Sequence, residues 1–174
     1  MGIYLDRTGR RSWAALSAVL VLVTVAIGAC ESPQAASSTD PSLCQQVSSV
    51  KGVTMTRVAH NSGTTLDFTF PERMTVTDAA KAKSAARALC ALPSMSHTAV
   101  ACPAGFNVNY SLRFARSGGT TLPATVVEAS GCERVVGLGV IRWALRSPTF
   151  WSVLSKAFGV APPTNAAFRG TVAS

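Results

Sequence analysis

Three residue types found in hydrolytic triads, His60, Ser62 and Asp67, stand close together in this sequence. Held in line, a serine hydroxyl, a histidine base and a carboxylate support nucleophilic acyl transfer. Here they fall in one predicted turn and at the start of the next strand, where a histidine is typically solvated. Ser48 and Lys51 match a weak Ser-x-x-Lys pattern without its companion motifs. The sequence therefore favours binding or inhibition over catalysis, and we expect no catalytic residue and no cofactor.

Five cysteines are the other residues that could do chemistry: Cys30, Cys44, Cys90, Cys102 and Cys132. The last four form an even set, which in an exported chain indicates two disulfides with three possible pairings. Cys102 and Cys132 flank one predicted hairpin, so we expect them to pair and to leave Cys44 for Cys90. We expect no metal site, because no two cysteines stand two to four residues apart and the sequence has only two histidines.

The first thirty residues have the layout of an export signal, with Arg7, Arg10 and Arg11 before an apolar run over 13–29. This run is at the short limit of the roughly 17–25 residues that cross a bilayer. Its end, Ile27-Gly28-Ala29-Cys30, resembles a bacterial lipobox. That resemblance implies removal of residues 1–29 as a signal peptide, diacylation of the Cys30 sulfur and anchoring at the extracytoplasmic face of the cell membrane. An uncleaved anchor and an ordinary secretory signal are the alternatives.

The charge of the chain restricts its partners. Thirteen basic and seven acidic residues follow the leader, which gives the mature chain a net charge of about +6. Such a charge keeps a domain soluble and also suits contact with anionic lipid or cell-wall polymer. Nucleic acid is not expected as a partner, because the chain has no basic run and no nucleic-acid motif. We expect a monomer held at the membrane by lipid, with a protein partner or ligand outside the cell.

Composition divides the mature chain into three parts. Residues 30–42 form the lipidated cysteine and a polar tether, which at roughly 5–6 Å × √n spans about 20 Å. Residues 43–160 form a single domain, and residues 161–174 are expected to be a loose tail. The domain is predicted to be α+β, with a small antiparallel sheet, one or two helices packed on one face, and two disulfides.

Alternation of apolar and polar residues predicts the strands of this sheet. The first two, at 53–58 and 65–70, are expected to form a hairpin through a turn at 61–63, and residues 74–76 extend the sheet. The clearest strand is 106–114, with its hairpin partner at 122–129 and a further strand within 135–145. A helix capped by Thr77 or Asp78 runs to about Ala91. A second begins at Ser147-Pro148 and carries four apolar residues that we assign to the core: Phe150, Trp151, Leu154 and Phe158.

The segments MTVTDAAKAKSAARALCALP, CPAGFNVNYSLRF and GC, over residues 74–132, resemble a family of uncharacterised lipoproteins from high-GC Gram-positive bacteria. That resemblance implies export, anchoring and a disulfide-closed hairpin, without an activity. A membrane-anchored, non-enzymatic protein that binds an envelope or extracellular partner is therefore the leading hypothesis.

A second resemblance, to the bacterial subtilisin-inhibitor family, gives the alternative. It rests on a Pro-Glu-Arg segment at 71–73, the helix ending in Cys90, the Cys102-Pro103 pair and Cys132. In that family the reactive bond follows the Cys-Pro pair, which here falls at Ala104 and Gly105. The alternative function is thus a serine protease inhibitor.

Overall fold

The computed structural model describes residues 42–59, 64–95 and 101–173. Within these residues the fold is α+β, as the sequence indicates: a six-stranded antiparallel sheet, a two-stranded sheet, three α-helices and two disulfides. The predicted leader, the lipid site at Cys30 and most of the tether lie outside the described residues.

The six-stranded sheet is built around two long central strands, β1 (Val50–Ala59) and β4 (Val108–Arg116). β3 (Arg73–Val76) pairs with the free side of β1, and β5 (Thr125–Glu128), β6 (Arg134–Val136) and β7 (Arg142–Trp143) continue the sheet beyond β4. The inward side chains of β4 are fully buried: Val108, Tyr110, Leu112 and Phe114. The predicted strand over 106–114 is therefore confirmed, except that it begins after Phe106, whose side chain is exposed.

The predicted hairpin of 53–58 with 65–70 is wrong. The second segment contains only the two-residue strand β2 (Leu66–Asp67), which pairs with β8 (Thr171–Val172) and not with β1. Its aromatic residues fold back onto β1, where the Arg57 guanidinium lies 3.7 Å from the centroid of the Phe68 ring. This side-chain contact and the pairing of β2 with β8 stand in place of a hairpin with β1.

Helix α1 (Ala79–Cys90) begins where the sequence predicts. The Asp78 carboxylate caps it, accepting hydrogen bonds from the backbone N–H groups of Ala80 at 2.8 Å and Lys81 at 3.1 Å. These hydrogen bonds, with that from Lys81 having the larger effect and that from Ala80 the smaller, hold the pKa of Asp78 below its usual value. The buried face of α1 is formed by Leu89 and three alanines, whose small side chains let the helix lie close to β1: Ala82, Ala85 and Ala86. The Cys44–Cys90 disulfide ties the end of α1 to the 3₁₀ turn Leu43–Gln45.

Helix α2 (Phe150–Phe158) packs beside α1 and contacts β3. The four apolar residues assigned to the core are buried here: Phe150, Trp151, Leu154 and Phe158. Gly159 ends the helix in the left-handed conformation, with φ 72°. The assignment of these aromatic residues to the core is confirmed.

The expectation of a loose tail over 161–174 is corrected for residues 161–173. They contain helix α3 (Asn165–Arg169) and β8, and the Phe168 side chain is fully buried. The Tyr110 hydroxyl donates a hydrogen bond of 2.6 Å to the Phe168 carbonyl, and burial raises the pKa of that hydroxyl. The buried Phe168 ring, the hydrogen bonds of Asn165 and Arg169 to the Ala129 carbonyl and the pairing of β8 with β2 hold this segment on the domain.

Candidate ligand-binding cleft

The outer side of the sheet places three polar side chains in one row across β4, β5 and β6. Asn109 lies opposite Glu128 in the β4–β5 register. Arg134 faces Glu128 from β6 and donates from Nε to its oxygens at 3.0 and 3.1 Å and from Nη2 at 2.8 Å. These hydrogen bonds raise the pKa of Arg134 above its usual value. The row therefore forms a polar floor in which the one carboxylate is neutralised by the guanidinium.

The Cys102–Cys132 disulfide supplies one wall of a cleft above this floor. It draws the exposed residues after Cys102 against Ser130 and Gly131. A Cβ added at Gly105 would lie 2.5 Å from the Ser130 Cβ and 2.8 Å from the Gly131 nitrogen. The close approach of the chain at residue 105 to Ser130 and Gly131 therefore requires glycine. Floor and wall together border a cavity of about 620 Å³.

Asn107 links the wall to the floor. It adopts a left-handed conformation, with φ 51°, which asparagine tolerates better than most residues. The chain turns there and enters β4 one residue later. The side chains of Asn107 and Asn109 both line the cleft, so it has two amide groups within three residues of chain.

The lining groups define what the cleft can bind. Each amide presents a donor and an acceptor side by side, Ser130 adds a hydroxyl, and the Glu128–Arg134 pair adds further polar edges. Such a lining suits a ligand with hydroxyl, amide or carbonyl groups. Glu128 is the only carboxylate lining this cleft in the described part of the chain, and it is hydrogen-bonded to Arg134. The arrangement therefore supports recognition better than acid–base chemistry.

Beside the cleft, the buried carboxylate of Glu133 fixes the turn that carries Cys132. It accepts hydrogen bonds of 2.8 Å from Trp151 Nε1 and 2.9 Å from Arg169 Nη2. The backbone carbonyl of Ala129 accepts a further 3.1 Å bond from Arg169 Nε. The C-terminal segment and α2 thus both hold this turn, which makes the Cys132 side of the cleft rigid.

Six residues of the motifs singled out in the sequence line this cleft: Cys102, Pro103, Ala104, Gly105, Gly131 and Cys132. Both predicted disulfides, Cys102–Cys132 and Cys44–Cys90, are confirmed. Five further lining residues were not anticipated: Asn107, Asn109, Glu128, Ser130 and Arg134. The outward positions of Asn109 and Glu128 could be read from strand alternation, but their meeting with Arg134 depends on the strand register.

The structure describes only one of the three triad residue types. Asp67 is exposed in β2, whereas His60 and Ser62 lie outside the described residues. Ser48 and Lys51 are exposed on either side of Val50. The described residues contain no group of three or more histidine, cysteine or acidic residues placed to hold a metal ion. They also contain no helix with the length and apolarity needed to cross a membrane.

Comparison with protein-family models, curated proteins and solved structures finds no match to this chain. The two family resemblances therefore stay predictions. A function for the chain has to be inferred from its own disulfides, surfaces and cleft.

Proposed function

We propose that this chain is an exported lipoprotein, anchored through Cys30 at the extracytoplasmic face of the membrane, whose domain binds an envelope or extracellular partner without catalysis. The observation that carries the proposal is the pairing of four of the five cysteines in two disulfides. Disulfides persist in oxidising compartments and are rare in the cytoplasm, which supports export. Because the other four cysteines are paired, Cys30 is available for a thioether to lipid.

The cleft supports the binding part of the proposal. Its wall and floor are held by a disulfide, a bidentate ion pair and the buried Glu133 turn. A ligand that enters such a preformed site does not have to order the site first, and this lowers the entropic cost of binding. The amide and hydroxyl groups in the lining would give orientation and specificity.

Replacement of Cys30 by serine is expected to abolish lipid attachment. Wild-type chain and Cys30→Ser are expressed in a bacterium that processes lipoproteins and is fed a clickable fatty acid. Only the wild type should take up the label and appear in the membrane fraction with residue 30 as its N-terminus. The serine hydroxyl cannot replace the thiolate as the attacking nucleophile, so the variant should keep its leader and stay unlabelled.

Ser32→Ala is the matched control for this experiment, because it changes a neighbouring side chain and keeps the cysteine. Its labelling should equal that of the wild type. An unlabelled wild type with an intact leader, or a labelled Cys30→Ser, would refute the anchor.

Protease inhibition is the alternative function, and one observation favours it. Residues 101–107 are exposed throughout and are tied to the domain by the Cys102–Cys132 disulfide. A braced, exposed segment suits an inhibitory loop, because ordering it on binding costs little. The reactive bond would join Ala104 and Gly105.

Titration of the purified chain against subtilisin tests this alternative. Stoichiometric inhibition that is lost in Ala104→Pro would support it, whereas cleavage of the segment without inhibition would exclude it. Ala104 is the better position to vary, because any Cβ at Gly105 collides with Ser130 and moves the whole segment.

A further inference from the structure

The outer side of β3, β1 and β4 forms a flat surface of hydroxyl and guanidinium groups, which we call the hydroxyl face. It consists of six residues: Thr54, Thr56, Arg73, Thr75, Ser111 and Arg113. In the strand register Thr54 lies between Thr75 and Arg113, and Thr56 lies between Arg73 and Ser111. All six side chains are exposed or half-exposed. The face is therefore two adjacent rows, each with two hydroxyls and one arginine.

Helices α1 and α2 do not cover this face. The residues of β1 and β4 that alternate with it, such as Val53, Met55 and Leu112, point into the core where the helices pack. Inside the face, the Thr54 and Thr75 hydroxyls lie 3.1 Å apart and form a hydrogen bond.

The two arginines of the hydroxyl face carry uncompensated positive charge. The described residues contain two ion pairs, Arg134–Glu128 and Arg169–Glu133, and neither involves Arg73 or Arg113. The acidic neighbour of Arg73 in sequence, Glu72, lines a different pocket with Arg57 and Phe68. The six residues of the face include no carboxylate. Charge complementarity therefore favours an anionic occupant.

The dimensions of the face favour an extended occupant. Strand spacing and rise place the Cα atoms of Arg73 and Arg113 about 12 Å apart, with hydroxyls between them. Ser111 is followed on the same side of β4 by Asn109, two residues away, which lies on the floor of the cleft. The hydroxyl face and the cleft thus adjoin along β4, with Val58 beside Asn109 and Val126 beside Ser111 on the same side of the sheet.

A polysaccharide fits this surface better than a bilayer. Protein surfaces that enter a membrane interface insert large apolar side chains between the headgroups. None of the six residues is apolar, and the exposed apolar residues beside them on this side, Val58 and Val136, are valines that are 40 % and 37 % exposed. Threonine and serine hydroxyls and asparagine amides instead match the paired donors and acceptors of sugar hydroxyls. Arginine adds hydrogen bonds directed at carboxylate or phosphate groups on the sugars.

We propose that the hydroxyl face, with the cleft beyond it, binds an anionic glycan, a polysaccharide that bears carboxylate or phosphate groups. This inference rests on the proposed function in that it takes the domain to be a binding module. It adds the chemical class of the ligand and the side chains that recognise it.

The test is a titration of the full chain, purified in a non-ionic detergent, with polygalacturonate and with phosphomannan. At least one probe is expected to bind saturably, and Arg73→Gln/Arg113→Gln should weaken that binding about tenfold, because each guanidinium makes charge-assisted hydrogen bonds. Lys81→Gln/Arg87→Gln is the matched control. It removes the same charge from the exposed side of α1 and should leave the affinity within about twofold of wild type. Far-ultraviolet circular dichroism checks that both variants fold.

Several outcomes would overturn the inference. Equal losses in the two double variants would show a response to net charge alone, and equal binding of neutral dextran would show that the anionic groups are not recognised. Binding to vesicles of phosphatidylglycerol and phosphatidylcholine, with neither glycan bound, would assign the face to a bilayer. Absence of glycan binding by a chain that is lipid-labelled at Cys30 would refute this inference and keep the anchor. Glycan binding that depends on Arg73 and Arg113, in a chain that takes up no lipid label at Cys30, would keep this inference and refute the anchor.

Discussion

Replacing Phe168 with alanine is expected to lower the free energy of unfolding by about 3–5 kcal/mol. The ring is fully buried, with its centroid 5.4 Å from that of Tyr110 and 5.0 Å from that of Trp151. Its removal would leave a cavity between the sheet, α2 and α3 that these aromatic rings cannot close by small shifts. Urea unfolding followed by tryptophan fluorescence, with both disulfides intact, measures the change.

Val172→Ala is the control for this variant, because Val172 lies four residues further along and its side chain is 58 % exposed. Its effect should stay within about 0.5 kcal/mol. If Phe168→Ala also stayed within that range, the packing of residues 161–173 on the domain would be contradicted.

Removing the Cys44–Cys90 disulfide is expected to lower the free energy of unfolding by about as much as Phe168→Ala does. The bond closes a loop of 46 residues, for which the chain-entropy model gives about 4 kcal/mol. It also holds the 3₁₀ turn Leu43–Gln45 on α1, where Leu43 is 2 % exposed. The double variant Cys44→Ser/Cys90→Ser, unfolded in urea beside the wild type, provides the measurement.

The double variant Cys102→Ser/Cys132→Ser serves as the comparison. Its loop of 30 residues should contribute about 0.4 kcal/mol less in the same model, so the stability losses should be similar. The two variants should differ in glycan or partner binding, because the 102–132 bond alone carries the wall of the cleft. A loss below about 1 kcal/mol for Cys44→Ser/Cys90→Ser would show that the first disulfide does not restrict the unfolded chain as proposed.

Local patterns in the sequence were sufficient for the elements that depend on neighbouring residues. The alternation of Tyr110, Leu112 and Phe114 with polar residues predicts β4, and Asp78 predicts the start of α1. The disulfide pairing could also be inferred, because Cys102 and Cys132 flank one hairpin. Each of these features depends on residues within a short stretch of sequence or on the position of one hairpin.

Features that depend on distant residues were not predictable in this way. Strand alternation does not say which strand is the neighbour of β1. It favours residues 65–70 because they follow β1 in sequence, whereas β3 and β4 flank β1 in the structure. The pairing of β2 with β8 joins residues about a hundred positions apart. Residues 161–174 are rich in alanine and proline and have no clear periodicity, so the sequence does not show that Phe168 is buried in the core.

The residues of the cleft also divide into those that local sequence identifies and those that depend on distant strands. Cys102, Ala104 and Gly105 could be named from the sequence because they follow a cysteine–proline pair in a predicted loop. Asn109, Glu128 and Arg134 occupy outward positions on three strands, which in a sequence are indistinguishable from an ordinary solvated surface. Only the register of β4, β5 and β6 turns them into the floor of one site.

For a chain exported as proposed, the contacts of residues 165–169 imply an order of folding events. A chain that crosses the membrane from its N-terminal end delivers β1 to β7 and α2 before this segment emerges. Until then the Tyr110 hydroxyl and the Glu133 carboxylate lack the Phe168 carbonyl and the Arg169 guanidinium, and buried polar groups without partners are costly. On this proposed route, the domain would reach its final packing only after these late residues had been translocated.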